Sequence, residues 1–458
     1  MTGTSPLRQI MAIRREELPQ ALLMATCFFL VIATFWVLRP LKTGLFIEFY
    51  DQTGFEFLGW AFNAAQAQNL AKVGNMVVAF FAAAAFVVLS RSFERQRLTY
   101  VFAGFSIVCF GIFLYVLEIP GPGTVWTFYW FGDLYNTLMV ASFFAFLNDS
   151  VTPEAAKRLY GLVILGGVAG GAFGSLALAG WIDALSLTGW IWVCIGATVA
   201  IPVVAGLAGK RFEPAAVSGP ASGTQPAAPT IASAARLVLA SKYLLAIVAI
   251  VGLYEMVSTI MDFQFSSTIS YYLDGEAISV QFARVFAVTN GVALIVQLFL
   301  TSFVMTRFGL GPALLFLPIA ALMGSVGFMV APVLLFGSLL NTVDSGFNYS
   351  INQSAREALY TPTSKAEKYQ AKAFIDMFVM RFAKAVAVGL SLVITTWFTG
   401  FGSIRWLSLL TVVILLAWIQ IARFAGREFR RLSSVPEPSG AGDTAVQVPL
   451  ADVRLASE

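Results

Sequence analysis

Apolar residues in this chain come in near-continuous runs of about twenty, and such runs match a ~30 Å hydrocarbon core at ~1.5 Å of helix per residue. Twelve runs are resolved by their polar borders: 20–46, 68–90, 97–117, 124–147, 160–180, 187–208, 242–266, 281–305, 310–330, 332–352, 371–399 and 404–424. The roughly ten-residue alternating segments of a transmembrane barrel are not seen. The pattern predicts an all-α membrane protein with twelve transmembrane helices. The first run follows a polar segment carrying Arg8, Arg14 and Arg15. It is too long for a signal-peptide core and lacks a small-residue cleavage site, so it counts as a helix.

The longest hydrophilic interruption is Lys210–Arg236, which contains PAAVSGPASGTQPAAPT. A segment of that composition buries too little apolar area to fold and reads as a linker. The expected organisation is a six-helix half over 1–209, a cytoplasmic linker over 210–236, a second six-helix half over 237–431 and a disordered cytoplasmic tail over 432–458. Lysine and arginine fall overwhelmingly on one side: Arg91, Arg95, Arg97, Lys157, Arg158, Lys210, Arg211, Arg236, Lys242, Arg307, Arg356, Lys365 and Lys368. The other side holds Arg284 and Arg405. The positive-inside rule then places both termini in the cytoplasm of a bacterial inner-membrane protein. The halves repeat weakly. DLYNTLMVASFFAFLNDSVTPEAAKRLYGLV and SLLNTVDSGFNYSINQSAREALYTPTSKAEKYQAKAF each hold an early Asn-Thr, a later Asn and a basic exit with Pro. Two such halves suggest a major-facilitator-like 6+6 pseudo-symmetric bundle, with substrate at the midplane between rocking halves.

Composition sharpens this. Only 12% of residues are charged against 58% hydrophobic, with a mean hydropathy of +0.79, whereas a soluble chain carries about 25% charged residues. The absence of histidine removes imidazole acid–base chemistry, His metal ligands and a His proton relay. Cys27, Cys109 and Cys194 lie in apolar runs without CxxC spacing, so no metal or disulfide framework is expected. The glycines of GLVILGGVAGGAFGS (161–175) read as close helix packing. No GxxxxGK[ST] phosphate loop is present, so transport would run by exchange or ion coupling. No loop is long enough for a catalytic domain, and no cofactor is expected.

The informative residues are the charges inside the runs: Arg39, Lys42, Lys72, Asp133, Glu255, Asp262, Asp344, Asp376, Arg381 and Lys384, with Lys372 at a boundary. An ionisable group at the bilayer centre costs about 2.5–3.5 kcal/mol on insertion scales, so such groups face a protein interior or a wet cavity. Arg39 and Lys42 share a face, as do Arg381 and Lys384, and Asn341, Asp344 and Asn348 form a stripe. Ion pairs that lock helices together are one reading, strongest for Asp344 and Asp376. The other is that cations from the first, second and eleventh helices meet around an anionic substrate. Candidate substrate-binding residues are Arg39, Lys42, Lys72, Asp133, Glu255, Lys372, Arg381 and Lys384.

Four segments resemble the ATP/ADP translocase family of plastids and obligate intracellular bacteria, a nucleotide-exchange branch related to the major facilitator superfamily: FWVLRPLKTGLF (35–46), AFLNDSVTPEAAKRLYGLVILGG (145–167), LYEMVSTIMDFQF (253–265), and SINQSAREALYTP with YQAKAFIDMFVMRFAKAVAVG (350–362 and 369–389). The resemblance implies exchange of nucleotides such as ATP and ADP, or of other phosphorylated anions. It assigns transport roles to the positions of Lys42, Asp133, Glu255 and Lys372, with Lys384 as an alternative to the last; Lys72 matches a further family lysine. The chain departs from the family at RPLKT, at Asn148-Asp149 and at Thr259. The alternative expectation is a proton-coupled major-facilitator transporter of another organic anion or metabolite, with Asp133, Glu255 and Asp262 as proton carriers. The partners expected are the lipid bilayer and a small anion, without nucleic acid, and the chain is expected to be a monomer.

Overall fold

The structure is a computed structural model that describes residues 17–151, 153–210, 231–363, 371–372, 374–398 and 400–433. The first half comprises α1 (Leu18–Thr53), α2 (Ala64–Ser92), α3 (Arg95–Val116), α4 (Pro122–Ser150), α5 (Pro153–Trp181) and α6 (Leu187–Gly209). After a short helix, Ile231–Ala240, follow α7 (Lys242–Tyr272), α8 (Glu276–Arg307) and α9 (Leu310–Val330). Then come α10 (Leu334–Phe347, continued by Gln353–Leu359), α11 (Met380–Trp397) and α12 (Ile404–Ser433). Most of the expected linker and tail (211–230 and 434–458) lies outside the described residues; Ile231–Ala240, the linker's end, is helical.

Ten of these helices are long and apolar enough by composition to cross a membrane. The other two are α4, which carries Asp133, Asn136 and Asn148, and α10, which a π turn interrupts. The twelve expected runs therefore correspond to twelve rods. Several extend beyond the apolar run because polar residues continue the helix: α1 ends at Thr53 rather than near 46, and its 36 residues exceed a bilayer core.

One element was not anticipated. Phe55–Phe57 and Trp60–Phe62 form a two-stranded hairpin between α1 and α2. Its turn residues Leu58 and Gly59 both have positive φ, at 53° and 79°, as a tight two-residue hairpin requires.

Each half has its own core. One cluster runs through α1, α3, α4, α5 and α6 around Phe28, Phe110, Phe143 and Trp190. The other runs through α7 and α9–α12 around Ile250, Phe328, Leu340 and Trp418. A third crosses between them. It joins Phe46, Ile47 and Tyr50 of α1 and Ala67 of α2 to Phe265 and Ile269 of α7 and to Phe282 and Phe286 of α8. These residues sit where α1 and α7 end and α2 and α8 begin. The halves are thus sealed by apolar packing toward that face, opposite the basic one.

The glycine stripe of α5 packs as its spacing suggested. A Cβ on Gly166, Gly170 or Gly174 would strike the backbone carbonyl oxygen of Ala25, Phe29 or Ala33 on α1. The four-residue period of one helix follows that of the other, so the two backbones touch.

Candidate functional site

At mid-length of the helices, between the halves, lies a cavity of about 500 Å³. α1 and α2 supply Arg39, Lys72 and Asn75, α7 supplies Tyr254, Glu255, Ser258 and Asp262, and α10 and α11 supply Asn341, Asp344, Tyr349, Arg381 and Lys384. Every one of these lies within an apolar run. Helical spacing brings them to the same face: Lys72 and Asn75 are one turn apart, as are Glu255 and Ser258, Asn341 and Asp344, and Arg381 and Lys384. Two further breaks in regular helix border the cavity. A π turn at Asn348–Asn352 carries Asn348 and Tyr349 into its wall, and one at Ile375–Val379 leads into Met380 and Arg381. Such turns shift the register of the side chains that follow and are frequent at functional sites.

The charges are arranged unevenly. Lys72 pairs with Asp262 across the two halves and reaches Asn69 Oδ1 at 3.2 Å. Lys384 lies 3.3 Å from Glu255, whose carboxylate is almost wholly buried. Arg381 donates to the backbone carbonyl of Met76 on α2 at 3.1 Å. Arg39 stacks between rings instead, its guanidinium carbon 4.9 Å from the Trp36 centroid and 4.7 Å from that of Phe286. Among the described residues, no carboxylate lies within 4.0 Å of either arginine. The cavity therefore holds two cations neutralised by neighbours and two held by neutral groups, whose donors are able to meet a ligand's oxygens.

Lys42 and Asp133 do not line the cavity. Lys42 is buried, 2.5 Å from Asp133 Oδ2 and 3.2 Å from the Tyr129 carbonyl, with its ammonium over the Tyr129 ring. Gly132 makes room for it: a Cβ there would lie 2.5 Å from Lys42 Cδ. The pair meets the cavity through Asn75, which lines it and donates to Asp133 Oδ2 at 2.8 Å. Lys372 is also separate. It sits 2.6 Å from Glu357, both partly exposed, in a recess of about 210 Å³ with Arg356 and Tyr360 nearer the basic face. Arg356 connects the two spaces, its guanidinium carbon 5.2 Å from the centroid of Tyr254. The side chain of Asp376 lies outside the described residues.

Of the eight expected site residues, the structure brings Arg39, Lys72, Glu255, Arg381 and Lys384 together. It sets Lys42 and Asp133 one layer behind and Lys372 apart. Asn75, Ser258 and Tyr349 were not singled out from the sequence. The available signal was a polar residue one turn from a charge already suspected, which neutral side chains transmit weakly.

Hydrogen bonds and ion pairs that cross between the halves include Lys72 with Asp262, Arg381 with Met76, Arg39 with Tyr349, Gln66 with Thr395 at 2.9 Å, and Ser270 with Asp51 at 2.9 Å. The last two lie beyond the cavity on the apolar-sealed side, where Tyr271 also stacks on Phe401 at 3.8 Å.

This bundle is a membrane transporter fold of the major facilitator type. The nucleoside transporter NupG superposes with a TM-score of 0.58 at 9% identity, over 91% of this chain and all (100%) of that one. The POT family transporter PepTSo gives 0.60 at 10% identity, over 90% and 98%. The fucose:proton symporter FucP of E. coli gives 0.51 at 15% identity, over 90% and 99%. At such identities the likeness is one of fold. The sequence adds a more particular sign, because residues 329–429, which include α10, α11 and the cavity's Asn341, Asp344, Arg381 and Lys384, match the family described as TLC ATP/ADP transporter. The resemblance read from the sequence is therefore found again in this segment. A comparison with curated proteins gives no match.

Proposed function

We propose that the chain is a secondary transporter of the bacterial inner membrane that exchanges nucleotides or other phosphorylated anions by alternating access, with both termini cytoplasmic. One observation carries this reading. A mid-membrane cavity between the halves is lined by Arg39, Lys72, Arg381 and Lys384, and its two arginines have no carboxylate partner among the described residues. Arginine's planar fork suits phosphate oxygens, and a cation in this setting is costly without a function. The TLC match over 329–429 supports nucleotides as the first class to test.

In this reading Arg39 and Arg381 receive the phosphate from the two halves. Lys72 and Lys384 exchange Asp262 and Glu255 for substrate oxygens, and the released carboxylates accept from ribose or base donors. Lys42 and Asp133 hold Asn75 in place from behind, and Lys372 lines the approach from the basic face. Tyr254 and Tyr349 offer ring faces to a base. Because the same cations would pair with acids when the site is empty, substrate binding lowers the cost of parting the halves in one state more than in the other.

The test is exchange in proteoliposomes preloaded with unlabelled nucleotide, followed by labelled mono-, di- and triphosphates outside. Native protein is expected to exchange at least one of them. Arg39→Ala and Arg381→Ala are each expected to reduce exchange at least tenfold. The absence of exchange for every phosphorylated solute tried, from correctly folded protein, overturns the reading.

A further inference from the structure

The carboxylates around the cavity are not alike. Asp262 has Lys72, Glu255 has Lys384, and Asp133, behind them, has Lys42. Asp344 has no such partner. It is 6% exposed, it accepts from Ser258 Oγ at 2.7 Å, and no lysine or arginine nitrogen of the described residues lies within 4.0 Å of it. One turn earlier on α10, Asn341 is 2% exposed, and its enclosed Oδ1 receives no hydrogen bond. All three residues line the same cavity.

A buried carboxylate without a cation and a buried amide oxygen without a donor are each costly. Here they occur one turn apart, facing a hydroxyl, and all three offer oxygen. Oxygen ligands around a single negative charge suit a small, hard cation of one positive charge. A divalent ion would want more carboxylates. The sequence alone favoured Asp133, Glu255 and Asp262 as carriers of a coupling charge, yet each of these is neutralised by a lysine.

We propose that Asp344, with Asn341 and Ser258, binds a monovalent cation, a proton or sodium, whose occupancy is coupled to transport at the adjoining cavity. The coupling part rests on the transporter reading above; the binding part does not. The ionisable groups around Asp344 are Tyr254, Glu255 and Asp262 on α7, Tyr349 on α10, Arg39 on α1, Lys72 on α2, and Arg381 and Lys384 on α11; α9 contributes none. A bound cation would cancel the charge of Asp344. An empty site would leave that charge to repel Glu255 and Asp262 and to draw on the unpaired arginines. The cation thereby changes how freely Arg39 and Arg381 are offered to an anion.

The experiment uses the purified full chain in detergent, without any transported solute. Melting temperatures are measured in sodium chloride against choline chloride at constant ionic strength, and separately over a pH series, for native protein, Asp344→Asn and Ser258→Ala. A ligand that binds only the folded state raises its melting temperature. A sodium site predicts a rise of several degrees in sodium for native protein, lost in Asp344→Asn and weakened in Ser258→Ala. A proton site predicts instead that native protein gains more stability as pH falls than Asp344→Asn does, with no sodium effect. The other carboxylates are common to both proteins, so the difference isolates Asp344. If Asp344→Asn does not fold, Asn341→Ala takes its place in the comparison. Identical sodium and pH responses in native and variant protein overturn the proposal. Since no nucleotide is present, that result is separate from a failed exchange assay.

Discussion

Lys42 illustrates what a single charge costs inside this bundle. It is buried against Tyr129, and its compensation is Asp133, which retains partial exposure through the Asn75 side. Removing one member of such a pair strands the other, at about 3 kcal/mol. Lys42→Met is therefore expected to lower the melting temperature by several degrees, and the double variant Lys42→Met with Asp133→Asn to recover a large part of it. A thermal double-mutant cycle reads both, and additive losses would mean that the pair does not interact. Gly132→Val is expected to act on the same pair, since its side chain would overlap the stem of Lys42. Arg39 tests a different property. Arg39→Lys keeps the charge but loses the flat contact with Trp36 and Phe286. Substrate affinity is expected to fall about tenfold, within the ~0.5–2 kcal/mol range of such contacts. A binding titration that finds equal affinity would show that charge alone suffices there. The charges themselves were legible in the sequence, because any ionisable residue in an apolar run stands out. Their division into paired and unpaired was not, since partners such as Lys72 and Asp262 are 190 positions apart.

At the scale of elements, the α1–α5 contact depends on the glycines. Gly170→Leu would drive a side chain into the backbone of Phe29, a contact that no rotamer change relieves. The expected cost is about 1–3 kcal/mol or more, seen as a lower melting temperature and poor expression. Gly180→Leu, at a site with open space around its Cβ, is the matched control and is expected to be tolerated. The stripe was legible because small residues at four-residue spacing have one economical use between membrane helices. The π turns at Val296–Leu300 in α8, at Asn348–Asn352 in α10 and at Ile375–Val379 just before α11 were not. A π turn adds one residue to a turn without changing hydropathy, so it leaves no mark on the apolar pattern. The hairpin Phe55–Phe62 escaped for a related reason: its three-residue strands are shorter than any window that detects alternation.

For the whole molecule, the apolar cluster of α1, α2, α7 and α8 and the polar contacts Asp51–Ser270 and Gln66–Thr395 close one face. The alternating access proposed above requires these to part. Asp51→Cys combined with Ser270→Cys, in a background where Cys27, Cys109 and Cys194 are replaced, is expected to cross-link under mild oxidant. Exchange should then stop, and reductant should restore it. Unimpeded exchange by the cross-linked protein would mean that this face need not open. The six-plus-six organisation was visible in the sequence through the polar interruption after Lys210 and the weak internal repeat. The face that is sealed was not visible, because the contacts that seal it join α1 and α2 to α7 and α8, far apart in the sequence.

Hydropathy by itself determined that this protein is a twelve-helix membrane bundle, and which residues are out of place within it. Both follow from local physics: a helix must satisfy its own backbone in lipid, and a charge there needs a reason. Tertiary structure alone decided which charges are already neutralised. Among the described residues, Arg39 and Arg381 have no carboxylate within 4.0 Å and Asp344 no lysine or arginine nitrogen, while Lys42 and Lys372 are taken out of the central cavity. Coulomb energy depends on distances of a few ångströms between helices far apart in sequence, and those distances exist only once the two halves are packed together.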